Sequence, residues 1–419
     1  MINFTESLIE QAAIGWFTSL GYTYACGKDI DPEGVRPERE SYEQVILPAR
    51  LRAALARLNP GLPSSALEDA FKKVILFPSP ALISANRAFH RALVNGLTIE
   101  YSRAGRIVGD IVHLFDFAEP AKNDWLVVNQ FTVLENHIVR RPDLVVFVNG
   151  LPLAVIELKN AADENATIWS AFNQLQTYRA QIPSLMAYNE ALIISDGLEA
   201  RIGSLSSGKS RFSPWKTISG AEVAPSTTPQ LEVLVNGFFE PSRFLNYIRH
   251  FIVFEDDGRG QPIKKMAGYH QYHAVNVAVE QTIRARRLVG AIRELPLRES
   301  PHSRYLAKPV REGFPGDQRI GVVWHTQGSG KSLTMAFYAG RVVLHPAMQN
   351  PSIVVITDRN DLDDQLFDTF SLCADLIRQR PVQAHSREDL VHLLRSASSG
   401  GVYFTTIQKF LPPPGSLSY

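Results

Sequence analysis

The 419 residues exceed one ordinary core, and at roughly 100–200 residues per domain they point to two domains. A hydrophobic fraction of 45% against 20% charged residues excludes a disordered or fibrous chain. A net charge of +1 excludes a wholly basic nucleic-acid binder, so any nucleic-acid surface has to come from local clustering of Lys and Arg. Cys26 and Cys373 lie far apart without CxxC spacing, which signals neither a disulfide framework nor a zinc site and fits a reducing cytoplasm. The start, Met1-Ile-Asn-Phe-Thr-Glu-Ser, lacks the basic and apolar parts of a signal peptide. No apolar run reaches the ~18 residues of a membrane span, so the expected location is cytoplasmic, with no membrane partner.

In chain order, Thr5 to Leu20 reads as an amphipathic helix stopped at Gly21, and Tyr42 to Leu58 as a second helix ending before Pro60-Gly61. From about Thr98 the period turns to strands: Asp110–Phe117, Trp125–Val133, Leu144–Val148 and Leu153–Lys159. A helix over Ser170–Ala180 and a strand over Ala191–Ser195 follow. The polar stretch Ser204–Gln230, rich in Ser, Pro, Gly and Thr, places the end of the first domain near 235. Residues 236–419 then form a second domain, in which helix gives way from Gln271 to strand, Gly-rich turn and helix, an α/β order.

Within the first domain, Arg141-Pro142-Asp143 heads one strand, and Glu157-Leu158-Lys159 ends the next. Glu157 and Lys159 are two apart and share a strand face, and Asn149-Gly150 marks the hairpin between the strands. A strict two-residue loop sets Asp143 against Ile156, facing away from Glu157. A three-residue loop, or a bulge that makes the same correction, sets Asp143 opposite Glu157. Two carboxylates on one face can hold Mg²⁺, while a neighbouring ammonium orients or deprotonates water and stabilises charge on a phosphorane. A solvated edge strand also carries Glu and Lys, but Gln174 and Tyr178, four apart on the following helix, add a third element on one face.

In the second domain, the apolar run Ile320-Gly-Val-Val-Trp-His leads into Thr326-Gln-Gly328-Ser329-Gly330-Lys331-Ser332 and a helix. Glycines let backbone N–H groups curl around phosphate, Lys331 can neutralise the outer phosphates, and Ser332 can hold Mg²⁺. His325 stands where the full pattern has Gly. Strands at Ser352–Arg359 and Gly401–Thr406, separated by helical sequence, complete an expected doubly wound parallel sheet. No Asp-Glu strand follows before Tyr419, so the expectation for these residues alone is ATP binding with little or no hydrolysis.

Together, Pro142-Asp143, Glu157-x-Lys159 and Gln174-x-x-x-Tyr178 resemble the PD-(D/E)xK nucleases, and in particular the RecB-like branch found in type I restriction enzyme R subunits. The resemblance implies an α/β chain: a mixed sheet flanked by helices, then a RecA-like P-loop domain of a helicase of the second superfamily. It also implies catalytic roles for Asp143, Glu157, Lys159, Gln174, Tyr178 and Glu10, with Glu6 the alternative to Glu10. The metal would sit on Asp143 and Glu157 and, in the motor, on Ser332; ATP would sit on Gly328, Ser329, Gly330, Lys331 and Ser332, with Gln271 reading adenine.

Ile194-Ser-Asp-Gly-Leu-Glu-Ala-Arg and Tyr269-His-Gln-Tyr-His are similar to the same family, and Thr357-Asp358-Arg359 resembles its segment touching the DNA backbone. His270 and His273 have a metal-like spacing that reads better as helix surface. Basic residues from Arg284 to Arg311 form a cluster that suits either phosphate or a solvated helix face.

The family implies Mg²⁺ and ATP as cofactors, and double-stranded DNA and the methyltransferase (M) and specificity (S) subunits as partners, with S-adenosylmethionine used by the assembly. Its subunits are much longer, so the chain reads as a fragment of such a protein. A RecB-like repair nuclease-helicase, or an inert remnant that only binds nucleotide or DNA, are the alternatives.

Overall fold

The computed structural model describes residues 6–76, 81–103, 105–160, 167–256, 260, 262–287, 319–397 and 400–410. The chain divides into two units, Met1–Arg249 with Asp257–Tyr269, and His250–Asp256 with His270–Tyr419.

The first unit is built on a six-stranded mixed sheet whose spatial order follows the chain: β1 (Thr23–Cys26), β2 (Trp125–Asn129), β3 (Leu144–Val148), β4 (Leu151–Leu158), β5 (Ala191–Ser195) and β6 (Ala200–Gly203). β1 runs parallel to β2 and β4 parallel to β5, while the other neighbours are antiparallel. Every residue of β3, β4 and β5 is buried, which is why these segments read as continuous apolar runs rather than as alternation. The parallel step from β4 to β5 needs a crossover, and helix α2 (Ile168–Gln181) lies in it, with Thr167 and Ser170 closing a capping box at its start. Helix α1 (Glu6–Ser19) buries Ile9, Ala13 and Phe17, one every four residues, and so presents a single apolar stripe.

Several expected elements are corrected. The second helix begins only at Pro48, whose fixed φ suits a first helical position, and runs to Leu58. The strand expected over Asp110–Phe117 is Arg106–Val112, paired with Leu97–Arg103 in a separate hairpin. The run Trp125–Val133 breaks at Gln130, where φ is 51°. Helices Ser64–Ile75 and Leu82–Asn95 were not anticipated.

The expected boundary at 235/236 is also not where the units part. Phe238, Phe239, Phe244 and Tyr247 join Phe17, Tyr22 and Trp125 in a run of aromatic contacts 4.9–6.5 Å between ring centroids. Tyr22 OH also donates to the Phe239 carbonyl at 2.8 Å, so the helix Gln230–Phe238 and the chain on to Arg249 belong to the first core.

In the second unit a parallel sheet has the order β7 (Ile353–Thr357), β9 (Val402–Thr406), β8 (Val382–Gln383). Helices α3 (Tyr269–Arg287), α4 (Lys331–Leu344) and α5 (Asn360–Leu372) accompany it. The strand expected at Ile320–Trp324 is not formed: no described strand pairs with it, and Val322 and Trp324 are 92% and 82% exposed. His273 is buried within α3 rather than on its surface. Beyond Arg287, the basic cluster ending at Arg311 lies outside the described residues. Among the described residues no helix is long and apolar enough to cross a membrane.

Candidate active site

The hairpin between β3 and β4 turns on two residues, Asn149 and Gly150, with φ of 54° and 78°. Positive φ at both positions is what a tight type I′ turn requires. Next to the turn, Val148 faces Leu151 and Phe147 faces Pro152; the register then shifts, and Val146, Val145 and Leu144 face Ala154, Val155 and Ile156. Leu153 is thus an extra residue, a β-bulge on β4. Carried one position past Leu144, the shifted register brings Asp143 level with Glu157, where its carboxylate meets the Leu158 backbone N–H. The correction that the sequence demanded is made by the bulge, not by a longer turn.

Around this pair the expected residues converge. Asp143 Oδ2 accepts from the Leu158 backbone N–H at 2.7 Å. Lys159 Nζ donates to Glu157 Oε1 at 2.8 Å, and Tyr178 OH donates to Glu157 Oε2 at 3.1 Å. Gln174 Nε2 donates to Tyr178 OH at 2.7 Å, so the two helix residues form a relay along one face of α2. Glu10 reaches the same end of the sheet, its two oxygens accepting from Asn129 Nδ2 and Gln130 Nε2, each at 2.8 Å. Gln130 Nε2 is also 3.4 Å from Asp143 Oδ1. Asn129 and Gln130 were not singled out from the sequence; the signal available was a polar pair closing an otherwise apolar strand. Glu6 is exposed but adds negative potential at Asp143.

Burial dominates the electrostatics, with Asp143 6% and Glu157 0% exposed. Desolvation raises the Asp143 pKa to about 6 against the opposing Leu158 N–H, with Glu6 and Glu10 adding to the rise. Desolvation and the charge of Asp143 raise Glu157 to about 8 despite Lys159 and Tyr178. Burial works against the Lys159 ammonium, yet Glu157 and Asp143 outweigh it and hold its pKa above the ordinary lysine value. Burial, then Glu157, keeps Tyr178 a phenol. Two buried carboxylates that both resist ionisation would be relieved by a divalent ion, whose charge reverses the sign of the field. Among the described residues no cluster of three or more His, Cys, Asp or Glu side chains occurs. The donors fit a hard cation that keeps several of its own waters, as Mg²⁺ does.

In the second unit, Gly328 and Gly330 both have φ of 79°, and Gly330 leads directly into α4, whose first turn has no side-chain cap. The free N–H groups of a 14-residue helix at the end of a glycine loop suit a phosphate. Lys331 is exposed and its Nζ donates to the carbonyls of His325 and Thr326, both at 3.1 Å. Ser329 and Ser332 are half-buried beside it. Gln271 is buried, and its amide nitrogen donates to Gly330 O at 3.0 Å and Thr334 Oγ1 at 3.1 Å, pinning α3 to the loop. Asp358 and Arg359 are exposed at the start of α5, while Thr357 is buried at the end of β7.

A mixed-sheet unit with a paired-carboxylate and lysine site, followed by a P-loop α/β unit, defines a nuclease-type domain joined to an ATPase-type domain. Residues 3–211 match the family described as type I restriction enzyme R protein N terminus, and residues 270–416 match the SWI2/SNF2 ATPase family. The chain belongs to the type I restriction enzyme R protein family. It is 42% identical over 408 residues to the type I restriction enzyme HindI endonuclease subunit of Haemophilus influenzae, covering 97% of this chain and 36% of the relative. It is 34% identical over 427 residues to a protein of Methanocaldococcus jannaschii provisionally named type I restriction enzyme MjaIXP endonuclease subunit, covering 97% and 37% respectively. The chain therefore spans little more than a third of the length of these relatives.

Proposed function

We propose that the first unit is a Mg²⁺-dependent DNA endonuclease and the second an ATP-binding part of a DNA-translocating motor. The observation that carries the nuclease reading is the bulged register that, carried one residue past Leu144, brings Asp143 level with Glu157, with Asp143 on the Leu158 N–H and Lys159 on Glu157. Asp143 and Glu157 would hold the divalent ion, which when bound polarises the scissile phosphate and lowers the pKa of a bound water. Lys159 remains an ammonium beside that site and stabilises the negative charge that builds on the phosphate in the transition state. Tyr178 and Gln174 hold Glu157 in one rotamer, and Leu158 N–H holds Asp143, so neither carboxylate has to reorganise. Gln130, between Glu10 and Asp143, fixes the third acid at the rim.

In the second unit Gly328, Ser329, Gly330, Lys331 and Ser332 would hold the phosphates of ATP, with Ser332 on its Mg²⁺, and hydrolysis in the longer protein would drive translocation. Gln271 sits against the loop, where it can sense or read the nucleotide. As the family resemblance implies, the working assembly would include methyltransferase and specificity subunits, use S-adenosylmethionine, and act on double-stranded DNA.

The test is nicking or linearisation of supercoiled plasmid by the purified chain with Mg²⁺ or Mn²⁺, beside Asp143→Ala and Lys159→Ala proteins of equal folding. Metal-dependent cutting lost in both variants is expected. Cutting that survives in them would remove the assignment.

A further inference from the structure

The register of the candidate site depends on Leu153, and a second buried cluster reaches this residue from far along the chain. Lys264, in the strand Pro262–Met266, is 1% exposed. Its ammonium donates to Asn86 Oδ1 at 2.9 Å, to the Asn189 carbonyl at 2.6 Å and to Glu190 Oε2 at 3.0 Å, one partner for each of its protons. His90 Nδ1 lies 3.0 Å from the same Glu190 oxygen. Asn86 Nδ2 donates to the carbonyls of Ala187 and Asn189 at 3.0 and 2.8 Å. The cluster therefore clamps the turn that delivers the chain into β5. At the end of that turn the Glu190 backbone N–H donates to the Leu153 carbonyl at 2.6 Å, so the extra residue of the bulge is tied to the clamped segment.

Burial works against both charges. On Glu190 the Lys264 ammonium and the hydrogen bonds from Lys264 and His90 outweigh it and hold the carboxyl below its usual range, whereas on Lys264 burial prevails and the ammonium gives up its proton more readily than a free lysine. A wholly buried ion pair adds little stability over apolar side chains of the same size, and its best-attested use is to specify register. A β3–β4 ladder without the bulge would return Asp143 to Ile156 and turn Glu157 to the other face.

We propose that Lys264 is a positioning residue for the nuclease reaction, fixing through Glu190 the bulge at Leu153 and hence the register that sets Asp143 opposite Glu157. The proposal rests on reading that pair as the nuclease site.

It is tested by calorimetric Mn²⁺ binding and thermal melts on the full chain, comparing wild type with Asp143→Ala, Lys264→Met and the paired Lys264→Met/Glu190→Leu protein. The single methionine variant leaves a buried carboxylate without its cation and is expected to lose stability; the pair removes both charges and is expected to melt near the wild type. Mn²⁺ affinity in the paired variant should nevertheless fall by about 10–100-fold, the usual effect of losing a supporting contact behind a metal ligand. Wild-type affinity in the paired variant would overturn the proposal and make the cluster one that only holds the fold. Absence of Mn²⁺ binding in the wild type, or binding indifferent to Asp143→Ala, would instead overturn the nuclease reading beneath it.

Discussion

The two units carry motifs of similar strength in the sequence but seat them very differently. In the first, Asp143, Glu157 and Lys159 come from two strands joined by a two-residue turn, and both strands are covered on each face. In the second, the loop Gly328–Ser332 and its helix are formed, yet the apolar run feeding them stays exposed and unpaired among the described residues. A hairpin finds its partner within a few residues, whereas a parallel strand needs neighbours brought in by crossovers from elsewhere in the chain. A motif on a hairpin therefore finds its paired strand within its own neighbourhood, whereas one on a parallel strand depends on distant segments even for that.

If the first site is complete in itself, its chemistry should fail sharply and alone. Lys159→Ala or Glu157→Gln should lower metal-dependent plasmid cutting by about 10²–10³-fold and leave nucleotide affinity untouched; a parallel loss of nucleotide binding would break the contrast between the units. The converse concerns Lys331, whose Nζ is already turned to loop carbonyls. Lys331→Ala should weaken a fluorescent ATP analogue by about 10–100-fold, the worth of a hydrogen bond to a charged group, while Mn²⁺ binding at Asp143 and Glu157 stays as in the wild type.

A smaller effect sharpens the role of the turn. Gly150 has φ of 78°, and an added Cβ would lie 2.6 Å from the Leu47 carbonyl and 2.9 Å from the Leu51 nitrogen. Gly150→Ala should cost about 1–3 kcal/mol in urea unfolding, with Mn²⁺ binding weakened at temperatures where the protein is still folded. Stability lost without any change in Mn²⁺ affinity would show that the site tolerates movement at the turn.

Much of the site was legible because its residues sit on elements with a strong period of their own. Glu157 and Lys159 follow from a spacing of two on a strand, and Gln174 and Tyr178 from a spacing of four on a helix. The turn was readable in Asn149-Gly150, and from it the need for a register correction, but not that Leu153 would supply it. The contact that reaches the bulge comes from elsewhere in the chain, here the Glu190 backbone N–H on the Leu153 carbonyl, in a segment that Lys264 binds from 74 positions away. Gln130, which bridges Glu10 and Asp143, was hidden for a similar reason, since its backbone turn ends β2 inside an apolar run. Helices Ser64–Ile75 and Leu82–Asn95 carry their own amphipathic patterns and went unread beside the stronger strand signals. The run Ile320–Trp324 failed in the opposite sense, because apolar residues announce a buried strand without supplying the strands that bury it.

The mildest prediction turns on the sign of the charge at the first site. Desolvation raises Asp143 to about 6, and desolvation with the Asp143 charge raises Glu157 to about 8, whereas in the unfolded chain these groups titrate near ~4. Both carboxyls thus hold protons in the folded protein over a range where the unfolded chain has lost them. Their contribution to stability is full below about pH 4 and is lost as pH rises through about 6 and then about 8. In EDTA the melting temperature should therefore carry a falling component between pH 5 and 8.5. The difference between wild type and Glu157→Gln isolates its upper part, because every other titrating group is common to both proteins. Saturating Mg²⁺ should cancel that component, since a cation binds the ionised carboxylates and reverses the preference for protons. If the wild type and Glu157→Gln melt along parallel curves in EDTA, Glu157 ionises as an ordinary carboxylate and the buried pair does not favour a cation in the way proposed.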